Sequence, residues 1–177
     1  TKKHRRQKVL FIAPGNYGLD FAKHQLGIDL DSAVKCSNYI GETLDYAIYL
    51  GFEKLLLVGH IGKLVKVAAG VMNTHSKTAD CRNEVFASHC ALAGANKEII
   101  EKVMNAKTTN EIHNILVLQN ISEQVYHSIL EKVIFHLNYR VMNKIQIGVI
   151  AFSNENGLLM QTDNAIQLII KLKEILL

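Results

Sequence analysis

The sequence predicts an α/β protein with a mostly parallel sheet, strand-helix units in its N-terminal part, a helical segment after them, and a final strand and helix. Three observations carry this. Compact apolar runs end at Ala13, Cys36 and Gly59, 23 residues apart each time, the length of a strand, a helix and their loops in a parallel unit. From Asn83 to Met142 the spacing of apolar residues is helical. The apolar run Ile145–Phe152 then returns to strand character before an amphipathic close.

The first strand is Lys8–Ala13, KVLFIA, stopped by the chain's single proline, Pro14. Gly15 and Gly18 punctuate the following turn, and LDFAKHQL, Leu19–Leu26, spaces its apolar residues as a short helix ended by Gly27. A second strand spans Ala33–Cys36. Ser37 or Asn38 is placed to cap the helix through YIGETLDYAIYL, which Gly51 stops. The third strand, Lys54–Val58, feeds a helix from near Ile61 whose buried stripe is Ile61, Leu64, Val65, Ala68 and Met72, with Lys63, Lys66 and Gly70 on another face. The helical segment reads NEVFASHCALAG, NKEIIEKVMN, a capping-box-like TTNE at Thr108–Glu111, and ISEQVYHSILEKVIFHL. After Ile145–Phe152 come the turn residues NENG and a closing helix from Asp163.

With 177 residues, 49% of them hydrophobic and 20% charged, the chain is read as one domain, 1–177, with one well-filled core. A net charge of +4 is modest, and the Lys and Arg residues are scattered except in the opening TKKHRRQK. With no Trp and no aromatic residue among those basic ones, the pattern argues against nucleic acid as partner. The apolar runs are too short for a bilayer span, so no membrane is expected. Cys36, Cys81 and Cys90 are odd in number with no signal peptide ahead of them, which points to free thiols and a cytoplasmic location. A start at Thr1 rather than Met leads to the expectation of a piece of a longer chain.

In open α/β sheets ligands bind at the carboxyl edge, so the loops after the first three strands are the candidate site. GHIGK, Gly59–Lys63, places Gly and Lys between strand and helix as a P-loop does. Two residues rather than four separate its glycines, and Leu64 stands where magnesium chemistry needs Ser or Thr, so nucleotide hydrolysis is excluded while an anion on the helix-start amides stays open. PGNYG gives GxxG rather than the dinucleotide GxGxxG. The second strand ends in CSN, without the acidic residue that holds ribose hydroxyls in nicotinamide sites. The run NTHSKTADCRNE, Asn73–Glu84, mixes donors and acceptors as a ligand-contacting loop does; a helix start with its cap explains part of it. Arg82 is a candidate carboxylate clamp. His75, Cys81, His89 and Cys90 match no zinc spacing, so no metal site is expected.

APGNYG at Ala13–Gly18, VKCSNYIGETLD at Val34–Asp45 and above all LLLVGHIGKLVKVAAGVMNTHSKTADCRNE at Leu55–Glu84 closely resemble the cobalt-precorrin-5B C(1)-methyltransferase family, known as CbiD, of the anaerobic cobalamin pathway. The resemblance is strong from about Lys8 to Ala95 and looser beyond, and it covers what looks like the C-terminal half of family members about twice this length. It implies transfer of a methyl group from S-adenosylmethionine to C1 of a cobalt-containing, anionic tetrapyrrole, the cobalt travelling in the substrate. Its further implications are that the absent N-terminal half is a partner and that an uncovered face would allow a homodimer. On this basis Gly15, Asn16, Tyr17 and Gly18 are assigned to the cofactor. Lys63, Lys66, Asn73, Thr74, Lys77 and Arg82, with the helix start at Gly62, are assigned to the carboxylate-rimmed tetrapyrrole. His60, His75 and Asp80 are assigned to its reacting edge, with no choice among them as a general base. Two other readings remain: a nucleotide- or phosphate-binding module on the same sheet, and a docking half whose polar run is an interface.

Overall fold

The computed structural model describes residues 9–28 and 33–175; Lys8, expected to open the first strand, and the basic run 1–8 lie outside them. Five strands, β1 (Val9–Ala13), β2 (Ala33–Lys35), β3 (Lys54–His60), β4 (Gln146–Ser153) and β5 (Gly157–Gln161), form one sheet in the order β2-β1-β3-β4-β5. The first four run parallel, with Phe11 beside Leu56 and Leu57 beside Val149, and β5 is antiparallel at the edge. The α/β class expected from the sequence is the one observed.

Strands alternate their side chains between faces, and both faces here are covered. Leu10, Ile12, Leu55, Leu57, Ile147 and Val149 point into a larger core built with α2 (Ile40–Tyr49), α3 (Ile61–Val67), α4 (Arg82–Leu92), α5 (Lys97–Asn105), α6 (Thr109–Leu118) and α7 (Ser122–Arg140). Phe11, Ala13, Leu56, Val58, Ile150 and Phe152 meet Ala22, Ile28 and the buried stripe Ala165, Leu168 and Leu172 of α8 (Ala165–Ile175). Burial on two faces explains why β1, β3 and β4 read as continuous apolar runs.

Four expectations are corrected. Helix α1 begins at Asn16, not Leu19, covers Asn16–Phe21, and continues as a π-helical turn over Ala22–Leu26 before Gly27 ends it. PGNYG is therefore largely helix, and Gly18 packs so closely that a Cβ there would lie 2.6 Å from the Val58 carbonyl oxygen. The helix after β2 is capped by neither the Ser37 nor the Asn38 side chain; Tyr39 stands at its start, and Asn38 is engaged elsewhere. Helix α3 stops at Val67 instead of reaching Met72. Gly70, at φ +79°, lets Val71 N–H reach Lys66 O and Gly70 N–H reach Val67 O, a Schellman ending. Finally, Ile145–Phe152 is not the last strand. NENG turns the chain into β5, which pairs with β4 through a bulge at Ala151/Phe152. The run Gly157–Gln161 is short and half exposed, the condition under which an edge strand leaves little periodic signal.

Candidate active-site edge

The ends of β1, β2, β3 and β4, at Ala13, Lys35, His60 and Ser153, share the carboxyl edge of the sheet, because all four strands run the same way. The polar run comes to that edge too. Tyr39 and Asn73 bridge, Thr74 N–H donates to Asn38 O at 2.9 Å, and Gly41 N–H donates to Met72 O at 3.2 Å. Two segments 36 residues apart in sequence become one surface.

Asn38 is the hub of this surface. Its Oδ1 accepts from Lys63 Nζ at 2.9 Å and from Thr74 Oγ1 at 3.3 Å, and Lys63 Nζ also reaches Ser37 O at 3.3 Å. Burial, followed by the Lys66 and Lys35 charges, pulls the Lys63 ammonium below the usual lysine range, against the opposing pull of Cys36. Gly15, at φ +96°, faces this ammonium: a Cβ there would stand 3.4 Å from Lys63 Nζ. Glycine allows that backbone conformation and leaves room for the Lys63 side chain beside it. Cys36 is buried, which pushes its thiol up to about 11 and leaves it protonated and unreactive at neutral pH.

His60 closes β3 and caps α3, its Nδ1 accepting from Gly62 N–H at 3.1 Å. The amide expected to cradle an anion is thus occupied within the chain, which weighs against the phosphate-module reading. Burial and the neighbouring Lys63 hold His60 below the usual histidine range, so the ring is neutral, with its proton on Nε2. Phe152 meets the ring edge-on at 5.8 Å and Tyr17 lies 6.3 Å away between ring centroids.

The other expected site residues divide by position. Lys66 is 3% exposed rather than open to ligand beside Lys63. Its Nζ donates to Ala79 O at 2.9 Å and Thr74 O at 3.2 Å, with Asp80 at 3.9 Å, so it fastens the polar loop from beneath. Arg82 clamps a carboxylate of its own chain: Nε and Nη2 donate to the two oxygens of Asp80 at 2.7 and 2.9 Å. That contact holds Asp80 below the usual carboxylate range and makes it a weak proton acceptor at neutral pH. His75 is exposed and accepts from Lys77 N–H through Nδ1. Asn73 Oδ1 accepts from His75 N–H, and Thr74 is buried beneath. Sequence reading missed Asn38, Ser37 and Phe152. The CSN end carried the signal for the first two, since a neutral amide there asks for a partner other than ribose.

A family model described as "CbiD, C-terminal domain" matches residues 73–163, half of the chain. The chain belongs to the CbiD family. Among curated relatives, a cobalt-precorrin-5B C(1)-methyltransferase of Ruminiclostridium cellulolyticum is 51% identical over 88% of this chain and 41% of its own length. CbiD proteins with the same name from Alkaliphilus metalliredigens (36% identical, 97% of this chain and 45% of the relative) and Methanocaldococcus jannaschii (40% identical, 75% and 37%) are also similar. The chain spans less than half the length of these relatives. No solved structure matches it. Among the described residues no helix is long and apolar enough to cross a membrane.

Proposed function

We propose that this chain is the part of a CbiD methyltransferase that forms the floor of the methyl-transfer site, acting on cobalt-precorrin-5B with S-adenosylmethionine as donor. The observation that carries the proposal is the convergence of the Gly15 turn, Lys63, Asn38 and the Asn73–Asp80 loop on one carboxyl edge. The Gly15 backbone, which carries no side chain and faces the Lys63 ammonium, suits a ligand lying against it. S-adenosylmethionine supplies an electrophilic methyl group on a sulfonium sulfur.

The chain's own residues then position and shield. Gly15, Asn16, Tyr17 and Gly18 form the turn assigned to the donor; Gly18 acts by holding α1 against β3, since it is itself buried. Lys63, Lys77 and Asn73 face the acidic rim of the tetrapyrrole, while Thr74, buried against Asn38, holds the loop in place. Charge-assisted contacts from Lys63 fix the register of the macrocycle, while Lys66, Asp80 and Arg82 hold the loop that carries the other contacts. His60 presents an N–H donor at Nε2 and, with its pKa lowered chiefly by burial, is a weak base; His75 at the loop surface presents another N–H donor. Alignment of acceptor carbon with methyl group, in a site that excludes water, provides the rate.

The test is transfer of labelled methyl from S-adenosylmethionine to cobalt-precorrin-5B by the CbiD protein carrying this segment. Lys63→Met is expected to lower kcat/KM by roughly 10- to 100-fold, the factor for a lost hydrogen bond to a charged group. Undiminished transfer with Lys63→Met, or no labelled tetrapyrrole with the unaltered protein, would sink the proposal.

A further inference from the structure

Building on that reading, we infer that the groove between α1 and the β4–β5 hairpin takes the adenosyl end of the methyl donor, with Asp20 accepting from the ribose hydroxyls. The groove has a volume of about 270 Å³ and is lined by Tyr17, Asp20, Phe21, Gln25, Phe152 and Asn154, among others. That lies just under the roughly 300–1,000 Å³ of pockets for drug-sized ligands, a size that suits a nucleoside-sized fragment.

The chemistry of the walls agrees with a flat base and a diol. Phe21 and Phe152 stack at 4.2 Å with planes 8° apart, making an apolar floor. Tyr17, 62% exposed, leaves a ring free to cover a base. Asp20 is three residues on, hence on the same helical face. It is exposed and has no ion pair or side-chain hydrogen bond among the described residues. In nicotinamide-binding sheets the acid for ribose comes from the end of the second strand. Here that end is committed to Lys63 and Thr74, and Asp20 supplies a carboxylate from the neighbouring helix instead. The π-helical turn over Ala22–Leu26 brings His24 and Gln25 to the same groove; such turns recur at functional sites. Tyr17 and Phe152 both adjoin His60, so a donor seated here has its reactive end directed toward the Lys63 side of the edge.

The test is calorimetric titration of the full 177-residue chain with S-adenosylhomocysteine, with adenosine and ATP as companion probes. Asp20→Ala and Asn154→Ala are each expected to weaken S-adenosylhomocysteine binding by about tenfold, and adenosine is expected to compete with it. Asn143→Ala, on the opposite edge of the sheet, is expected to leave binding unchanged. Circular dichroism verifies that each variant is folded. Binding that Asp20→Ala and Asn154→Ala leave intact overturns the inference and keeps the donor elsewhere on the edge. No binding by the folded chain overturns it too, and methyl transfer by the longer protein then judges the wider function separately. ATP bound as tightly as S-adenosylhomocysteine, with the same dependence on Asp20, overturns the donor assignment in favour of a general nucleotide groove.

Discussion

Lys66 shows how a single side chain can serve a site without facing the ligand. Its ammonium supplies donors to two carbonyls of the polar loop, and a buried acceptor stripped of its donor loses about 1–3 kcal/mol. Lys66→Met is therefore expected to destabilise the chain by about that amount in urea unfolding, and to expose residues 74–81 to limited proteolysis before the rest unfolds. Asp80 gives a pH signature. Its folded pKa is lowered, first by the Arg82 hydrogen bond, so its stabilising contribution is present above the ordinary value of 3.8 and is lost as pH falls below it. An acid titration of Arg82→Gln followed by circular dichroism is expected to show a shallower loss of stability in that window than the unaltered chain.

Helix positions depend on contacts as local as a single glycine. A Cβ on Gly18 would press to 2.6 Å from a β3 carbonyl, which is backbone and does not yield. Gly18→Ala is expected to cost about 1–3 kcal/mol in unfolding experiments, the range for overpacking, and to displace Tyr17 and Asp20 with the helix. On the other face of the sheet, Thr108 caps α6 by accepting from Glu111 N–H at 3.1 Å, while the Glu111 carboxylate accepts from Lys107 N–H at 2.8 Å. Thr108→Ala is expected to cost about 1 kcal/mol, measurable by thermal melting.

The molecule as a whole is expected to weaken below neutral pH. His60, His89 and His113 all have folded pKa values lowered chiefly by burial. Unfolding restores their ordinary value near 6.5, so the unfolded chain binds more protons as pH falls, and stability declines from about 6.5 downward until the folded pKa values are reached. Melting temperatures at pH 7.5 and 5.5 measure this. Replacing His89, whose Nδ1 meets Ser128 Oγ at 2.7 Å, with Gln is expected to reduce the difference; an unchanged difference would assign the pH dependence to other groups.

The strand-helix units, the shared carboxyl edge and the stops at Gly27 and Gly51 were legible along the chain, because burial on both faces and left-handed glycines leave local marks. The family was legible too, through long strings such as GHIGKLVK and NTHSKTAD. Which polar residues face outward is set by packing between segments distant in sequence. Lys63 and Lys66 are three apart on one helix, yet the first lies at the edge and the second lies under a loop that crosses it. Asn38 and Thr74 meet across 36 residues, and Asp20 faces a hairpin whose second strand is too short and exposed to announce itself. Periodicity reports the side of an element that is buried by its neighbours in the sheet; it carries no record of a distant loop folding back over it.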